Sequence, residues 1–411
     1  MLPLAGMFSD KLKRSVNGRK TVFELLEQKI TAKDRVIWFH CASLGEYEQG
    51  VPVMRTLKQK FPTHKLLVTF FSPSGYENKK DDQLADIITY LPLDTKHNAH
   101  KFLSLTHPEL AVFVKYEFWP NFLIQLGQLQ IPTLYVSATF RRDQIFFKWY
   151  GRFMTSILQN VQHFFVQDSI SLEVLTDLGY TNSTLSGDTR FDRVSHQIEM
   201  DNTVDFVADF VQDRLCIVCG STWPEDDAVL LDYVNASPSS VCFVMAPHEI
   251  KPASIAALEK KVHLSYVRYS EKEGKTLSDY RVLLVDTIGY LTRIYSYADI
   301  AYVGGGMGNA GLHNILEAAT FGVPIVIGKN FDRFLEAKQL QKLAGLFSVS
   351  TAEEHTAIMT RLEKDKKFRQ QTGMICGHYI NSNTGATATV VDYIETLLET
   401  TPQKLPDSNT A

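Results

Sequence analysis

Residues 298–328, ADIAYVGGGMGNAGLHNILEAATFGVPIVIG, read strand, glycine loop, helix, turn, strand, and that order constrains the chain more than any other segment does. Two apolar strands joined by a helix form a parallel pair. Gly304, Gly305, Gly306, Gly308 and Gly311 crowd the connection between the first strand and the helix. Lacking Cβ atoms, such a loop lets backbone N–H groups approach a phosphate. The pattern predicts a helix over residues 312–321 whose positive N-terminal end aims at the same spot. Glu317 then sits about one and a half turns past the loop, where a carboxylate can accept hydrogen bonds from a ribose diol. Residues 306–311 match G-x-G-x-x-G, but a dinucleotide fingerprint normally opens its domain and ends the next strand on an acid. Here the loop lies far down the chain, and Asp332 stands several residues past the apolar run 324–327. A glycine-rich turn that only packs a helix on a sheet gives the same letters. The expectation is a nucleotide-phosphate site in the second domain of a two-domain protein.

The rest of the chain repeats the alternation twice. Apolar runs of strand length stand at 36–40, 65–69, 87–91, 110–114, 133–136 and 163–166, with helical patterns such as 50–60 and 98–105 between them. The series restarts at 215–219, 241–245, 282–285, 300–303 and 324–327. Strands alternating with helices mean doubly wound parallel sheets, and 411 residues exceed one ordinary core. The division expected is a domain over 1–195, a polar hinge over 196–213, a second domain over 214–400 and a disordered tail over 401–411. In such folds ligands sit at the carboxyl ends of the strands. A net charge of −4 gives no reason to expect a nucleic-acid partner. Five cysteines without framework spacing fit a reducing compartment. Cys216 and Cys219 form a C-x-x-C inside a strand pattern, which puts them on opposite faces as core residues rather than metal ligands. At the N-terminus an apolar run over 2–8 precedes Lys11, Lys13, Arg14, Arg19 and Lys20. It is too short to span a bilayer, and fits either a shallow membrane contact or a solvated terminus.

Strand ends of the first half carry chemistry. Ala42-Ser43-Leu44-Gly45-Glu46 is a small-residue loop that ends in a carboxylate at a helix start. Ser72-Pro73-Ser74-Gly75 sets hydroxyls and a turn at the next helix start, suited to an anion. Tyr116-Glu117-Phe118-Trp119-Pro120-Asn121 places Glu117 in apolar company. Two carboxylates at neighbouring strand ends can divide acid–base duties when burial raises one pKa more than the other. The plainer alternatives are a helix N-terminal charge for Glu46 and a buried structural pair for Glu117.

The motifs HCASLGE, FFSPSG, LPLD, KYEFWPN, GDTRFD, VDTIG and GGGMGNAGLHNILEAATFGVPIVIG resemble, in the same order, those of the 3-deoxy-D-manno-octulosonic acid (Kdo) transferases of lipopolysaccharide synthesis, over roughly residues 36–345. The resemblance implies a GT-B fold: two Rossmann-like doubly wound parallel-sheet domains facing across a cleft. It implies CMP-Kdo as donor, a lipid A precursor as acceptor, and work at the cytoplasmic face of the bacterial inner membrane. By the same resemblance Glu46 is the general base, with Glu117 beside it, and the displacement inverts the anomeric carbon. CMP is a good leaving group, so neither a metal nor another cofactor is expected, and no Asp-x-Asp stands at a strand end. The leaving phosphate is assigned to the backbone around Gly308, Gly311 and His313, with Asn314 and Glu317 on ribose or phosphate. Ser221 and Thr222 add phosphate contacts, while Pro247, His248, Asp286, Thr287 and Gly289 line the cytidine pocket. His248 and His313 are equally readable as plain loop histidines. Ser43, Gly45, Ser72, Ser74, Gly75, Arg141 and Arg142 are assigned to Kdo or the acceptor. Two departures stand out: members commonly carry a longer apolar N-terminal anchor, and the loop 137–142 is worded differently. The alternative within the same fold is another nucleotide-sugar enzyme, a different glycosyltransferase or an epimerase.

Residues 140–158, FRRDQIFFKWYGRFMTSIL, predict one amphipathic helix. Phe146, Trp149, Tyr150, Phe153 and Ile157 share a face flanked by Arg141, Arg142, Lys148 and Arg152. That pattern fits a contact with an anionic lipid surface, or a core helix packing its aromatics on the sheet.

Overall fold

The computed structural model describes residues 10–144 and 151–400. The N-terminal apolar run, Phe146, Lys148, Trp149 and Tyr150 of the aromatic stripe, and the tail 401–411 lie outside the described residues. The chain divides into two compact units, residues 1–193 with 383–411, and residues 194–382.

The first unit is built on a seven-stranded sheet. Its strands are β1 (Arg35–Cys41), β2 (His64–Phe70), β3 (Ile87–Tyr90), β4 (Leu110–Val114), β5 (Thr133–Ala138), β6 (His163–Val166) and β7 (Ser183–Leu185), in the order β3-β2-β1-β4-β5-β6-β7. All pairings are parallel, so helices cover both faces and both faces are dry. β1 shows the consequence directly. Val36 and Trp38 pack into one core with Phe102, Phe113 and Phe122, while Ile37, Phe39 and Cys41 pack into the other. The Trp38 ring lies 4.8 Å from Phe102 and 5.2 Å from Phe113.

The second unit carries another parallel seven-stranded sheet. Its strands are β8 (Leu215–Thr222), β9 (Val241–Pro247), β10 (Tyr266–Arg268), β11 (Val282–Leu284), β12 (Ile300–Val303), β13 (Ile325–Gly328) and β14 (Leu346–Val349), in the order β10-β11-β9-β8-β12-β13-β14. In each sheet the strand order reverses beside the unit's first strand, between β1 and β4 and between β8 and β12. A crevice opens at such a switch point, outside the carboxyl ends of the two strands. Cys219 packs in the core with Ile217, and Cys216 faces the other way in register with Cys242. All five cysteines are buried and free.

Three features differ from the sequence expectation. The helix Ala386–Thr400, expected to close the second domain, belongs to the first unit. Val390, Val391 and Ile394 complete the core under Ile37 and Phe39, and Asp192 accepts from the N–H groups of Gly385 and Thr387 at 2.6 and 2.8 Å. The apolar spacing of that helix is visible in the sequence, but not which sheet it covers. Second, the two described members of the aromatic stripe differ in burial. Within the helix Arg152–Ile157, Phe153 is 59% exposed while Ile157 lies in the core. Third, Arg19 is not turned to solvent: its guanidinium donates to Leu91 O at 2.9 Å and Phe71 O at 2.8 Å, over the Phe71 ring. Among the described residues no helix is long and apolar enough to cross a membrane.

Candidate functional site

At the switch point of the first unit, β1 runs into Ala42 and Ser43, and the helix Leu44–Lys60 follows. Glu46 lies in its first turn and is 5% exposed, with the Ser43 N–H donating to Oε2 at 3.0 Å. Burial raises its pKa, while the Ser43 N–H and the nearby Lys115 ammonium pull it back. The helix-capping role expected as the plain alternative is therefore present, in a carboxylate removed from water. β4 ends next door, and Lys115 turns the chain with φ +69°. Glu117 follows, half-buried among aromatic rings, and its backbone carbonyl accepts from Tyr135 Oη at 2.8 Å. Burial, then the Glu46 charge, pushes Glu117 up to about 7. Asp94 of the LPLD motif steadies the same turn by accepting from the N–H groups of Asn121 and Phe122, both at 3.2 Å.

The serine loop after β2 is drawn to this end of β1, because Ser72 N–H donates to Ala42 O at 2.7 Å. Ser72 and Ser74 share a hydroxyl hydrogen bond of 2.8 Å. At Gly75 a side chain would collide with the Phe70 ring and crowd Leu44 N, so the glycine keeps the two loops close. Gly45 faces open space. Arg141 and Arg142 stand on the turn after β5, 3.4 Å from Asp143 and 2.7 Å from Asp177, so carboxylates already meet their charges.

At the switch point of the second unit, β8 ends in Ser221, at φ +53°, and buried Thr222. Thr222 pairs in register with Pro247, and its carbonyl accepts from His248 N–H at 2.9 Å. The glycine loop follows β12. A Cβ on Gly304 would overlap Ser221 O, and Gly305 adopts φ +90°, so both glycines are required by the loop's own path. That part of the signal is the packing turn weighed above. The loop then doubles back, and His313 N–H donates to Gly304 O at 3.1 Å.

This fold-back overturns the helix expected over 312–321. The only helix there is Leu316–Ala319, with Asn314 Oδ1 accepting from Leu316 N–H at 3.2 Å. Gly311, at φ +98°, and the His313 bond keep residues 311–313 out of helical geometry. Glu317 therefore sits in the first turn of a short helix, and the helix macrodipole adds little charge to the loop. Thr292 Oγ1 and Asn314 Nδ2 hold the Glu317 carboxylate at 2.9 and 3.0 Å. Trp223 Nε1 donates to His313 Nε2 at 3.1 Å and its ring stacks on His248, 4.6 Å away. His248 and His313 lie 4.5 Å apart, and burial lowers the His313 pKa, so the ring that accepts from Trp223 is neutral. Asp286 faces Ser270 instead, accepting from its N–H at 3.0 Å and its hydroxyl at 2.5 Å. Thr287 and Gly289, at φ +93°, follow on the same turn after β11.

Sequence reasoning missed one residue here. Asp226 is fully buried and accepts from the N–H groups of Trp223, Gly305 and Met307 and from the Tyr302 hydroxyl. In the sequence it is one acid of three in a helix's first turn, which reads as ordinary helix-end charge. Among the described residues no group of three or more His, Cys, Asp or Glu is placed to hold a metal ion.

Two parallel α/β units in one chain, each with a loop site at its switch point, define the GT-B fold. The crystal structure of the UDP-GlcNAc 2-epimerase from Neisseria meningitidis, bound to UDP-GlcNAc, shares it, with a TM-score of 0.61 at 15% identity over 89% of this chain and 100% of that one. Residues 17–193 match the 3-deoxy-D-manno-octulosonic-acid transferase (kdotransferase) family. The 3-deoxy-D-manno-octulosonic acid transferase of Haemophilus influenzae is 28% identical over 376 residues, 88% of this chain and 87% of its own. A bifunctional glycosyltransferase/methyltransferase of Fusobacterium nucleatum is also 28% identical over 88% of this chain, which spans 57% of that relative's length. These matches support the reading of the chain as a glycosyltransferase similar to the Kdo transferases.

Proposed function

We propose that this enzyme moves Kdo from CMP-Kdo to a hydroxyl of a lipid A precursor, inverting the anomeric carbon. The observation that carries the reading is the pair of desolvated carboxylates at the switch point of the first unit, in a chain similar to the Kdo transferases. Glu46, whose burial-raised pKa is held back by the Ser43 N–H and Lys115, is the member that serves as base. It accepts the proton of the acceptor hydroxyl as that oxygen bonds to the anomeric carbon and the bond to CMP breaks. Glu117, titrating near neutral pH, holds a proton beside it and limits the negative charge on the pair.

On the second unit the leaving CMP is received by backbone N–H groups of residues 308–312, with Thr222, Ser221 and the Trp223–His313–His248 cluster around them. Glu317, already oriented by Thr292 and Asn314, accepts from the ribose hydroxyls. With so short a helix behind the loop, direct hydrogen bonds rather than the macrodipole stabilise the phosphate. The acyl chains of the acceptor stay in lipid, so the enzyme works at a membrane surface, on the cytoplasmic side where the nucleotide sugar is available. Incubation with CMP-Kdo and tetra-acylated lipid A precursor should give products heavier by Kdo residues, together with free CMP. Turnover of UDP-GlcNAc instead, with CMP-Kdo untouched, would replace this reading with an epimerase.

A further inference from the structure

The two walls of the second unit's crevice come from distant parts of the chain, the loop after β8 and the loop after β12. One buried side chain joins them. Asp226 Oδ2 accepts from Trp223 N–H at 2.9 Å on the first wall and from Gly305 N–H at 2.7 Å on the second. Its Oδ1 accepts from the Tyr302 hydroxyl at 2.9 Å and from Met307 N–H at 3.3 Å. We propose that Asp226 is a positioning residue of the donor site, fixing the glycine loop against the β8 wall so that residues 308–312 face the nucleotide phosphate.

The bookkeeping of N–H groups supports this. Gly305 and Met307, inside the glycine run, spend their N–H groups on the protein's own carboxylate rather than on a ligand. Gly304 N–H goes to Gly220 O at 2.9 Å. Three N–H groups of the loop's first half, those of Gly304, Gly305 and Met307, are thus spent within the protein, and what they supply to the second half is shape. A carboxylate suits the post because each oxygen accepts two bonds at once. The amide of Asp226→Asn keeps the size but cannot accept at its nitrogen, so either the Trp223 and Gly305 N–H groups or the Tyr302 hydroxyl and Met307 N–H lose their acceptor.

This inference rests on the nucleotide-site reading of the second unit, and the experiment separates the two. In the unliganded wild-type protein, amide hydrogen exchange should show Gly305 and Met307 protected, with no change on adding CMP, while amides among 308–312 gain protection. Folded Asp226→Asn should bind CMP about 10- to 100-fold more weakly by calorimetry, with Gly305 and Met307 exchanging faster and the β12 amides unchanged. Rapid exchange at Gly305 and Met307 in the free wild type, or protection that arises only with CMP, overturns the proposal even where the variant fails to fold. So does a folded Asp226→Asn whose CMP affinity lies within about threefold of wild type. Absence of CMP binding by the wild type removes the nucleotide reading, and exchange in the free protein then still decides whether Asp226 holds the loop.

Discussion

Strand β4 has a glutamate at each end, and the two could hardly be treated more differently. Glu109, just before the strand, is gripped by His64 Nε2 at 3.1 Å and by two Arg35 guanidinium nitrogens at 2.8 Å, and these bonds hold it down to about 2. Glu117, just after the strand, meets apolar rings and the Glu46 charge, which push it up to about 7. The second unit repeats the first half of the pattern. Asp299, before β12, accepts from Cys216 N–H at 2.9 Å with Arg369 at 3.9 Å. Carboxylates at the amino ends are neutralised and serve stability. Those at the carboxyl ends of β1 and β4, Glu46 and Glu117, are desolvated and have raised pKa values.

The sharpest test of that contrast is Glu46→Gln, which should lower transfer on the order of 10²–10⁴-fold and leave CMP affinity unchanged. A variant turning over near the wild-type rate would remove the carboxyl end from the chemistry. Next comes Glu117. Its folded pKa lies above the unfolded value of about 4.5, so the native state holds a proton that the unfolded chain has released. Stability from this group is complete below pH 4.5 and is lost as pH rises towards about 7, a decline on the order of 2–3 kcal/mol. Denaturant unfolding from pH 5 to pH 8 should show it, and Glu117→Gln should flatten the curve; parallel curves would contradict the assignment. Glu317→Ala removes a carboxyl-end acceptor on the other unit and should weaken CMP binding by about 1.5–3 kcal/mol in calorimetry. The smallest effect is expected from Glu109→Gln. That pair is about a third exposed, so the loss should be only about 1 kcal/mol at pH 7, with turnover unchanged. Glu109 acts with the opposite pH sign: its stabilisation is present above about 4.5 and disappears as pH falls towards 2.

The same contrast explains what could be read from the sequence. Central strands such as β1, β4 and β12 are buried on both faces and announce themselves as unbroken apolar runs. The edge strands β7, β10 and β14 do not. They have three, three and four residues and are partly exposed, so too little apolar sequence marks them. Glu46 and Glu117 stood out in the sequence because each closely follows an apolar strand run, although Glu46 also caps its helix. The course of residues 309–315 was not, since helix propensity carries no information about a bond from His313 back to Gly304. Asp226 was hidden for a related reason: its loop partners lie 79 and 81 residues away, and only the folded sheet brings them together.

The helix Ala386–Thr400 has one more implication, for the order in which the molecule can be made. The first unit emerges first from the ribosome, yet Val390, Val391 and Ile394 belong to its core. Until they arrive, the core around Ile37, Phe39 and Val112 is covered only in part, by Tyr47, Val51, Met54 and Leu57 of the helix Leu44–Lys60, while residues 194–382 precede them in the chain and form a continuous unit of their own. Synthesis therefore supplies every residue of the second unit before the last core residues of the first. Removing the last helix would injure the first unit, not the second.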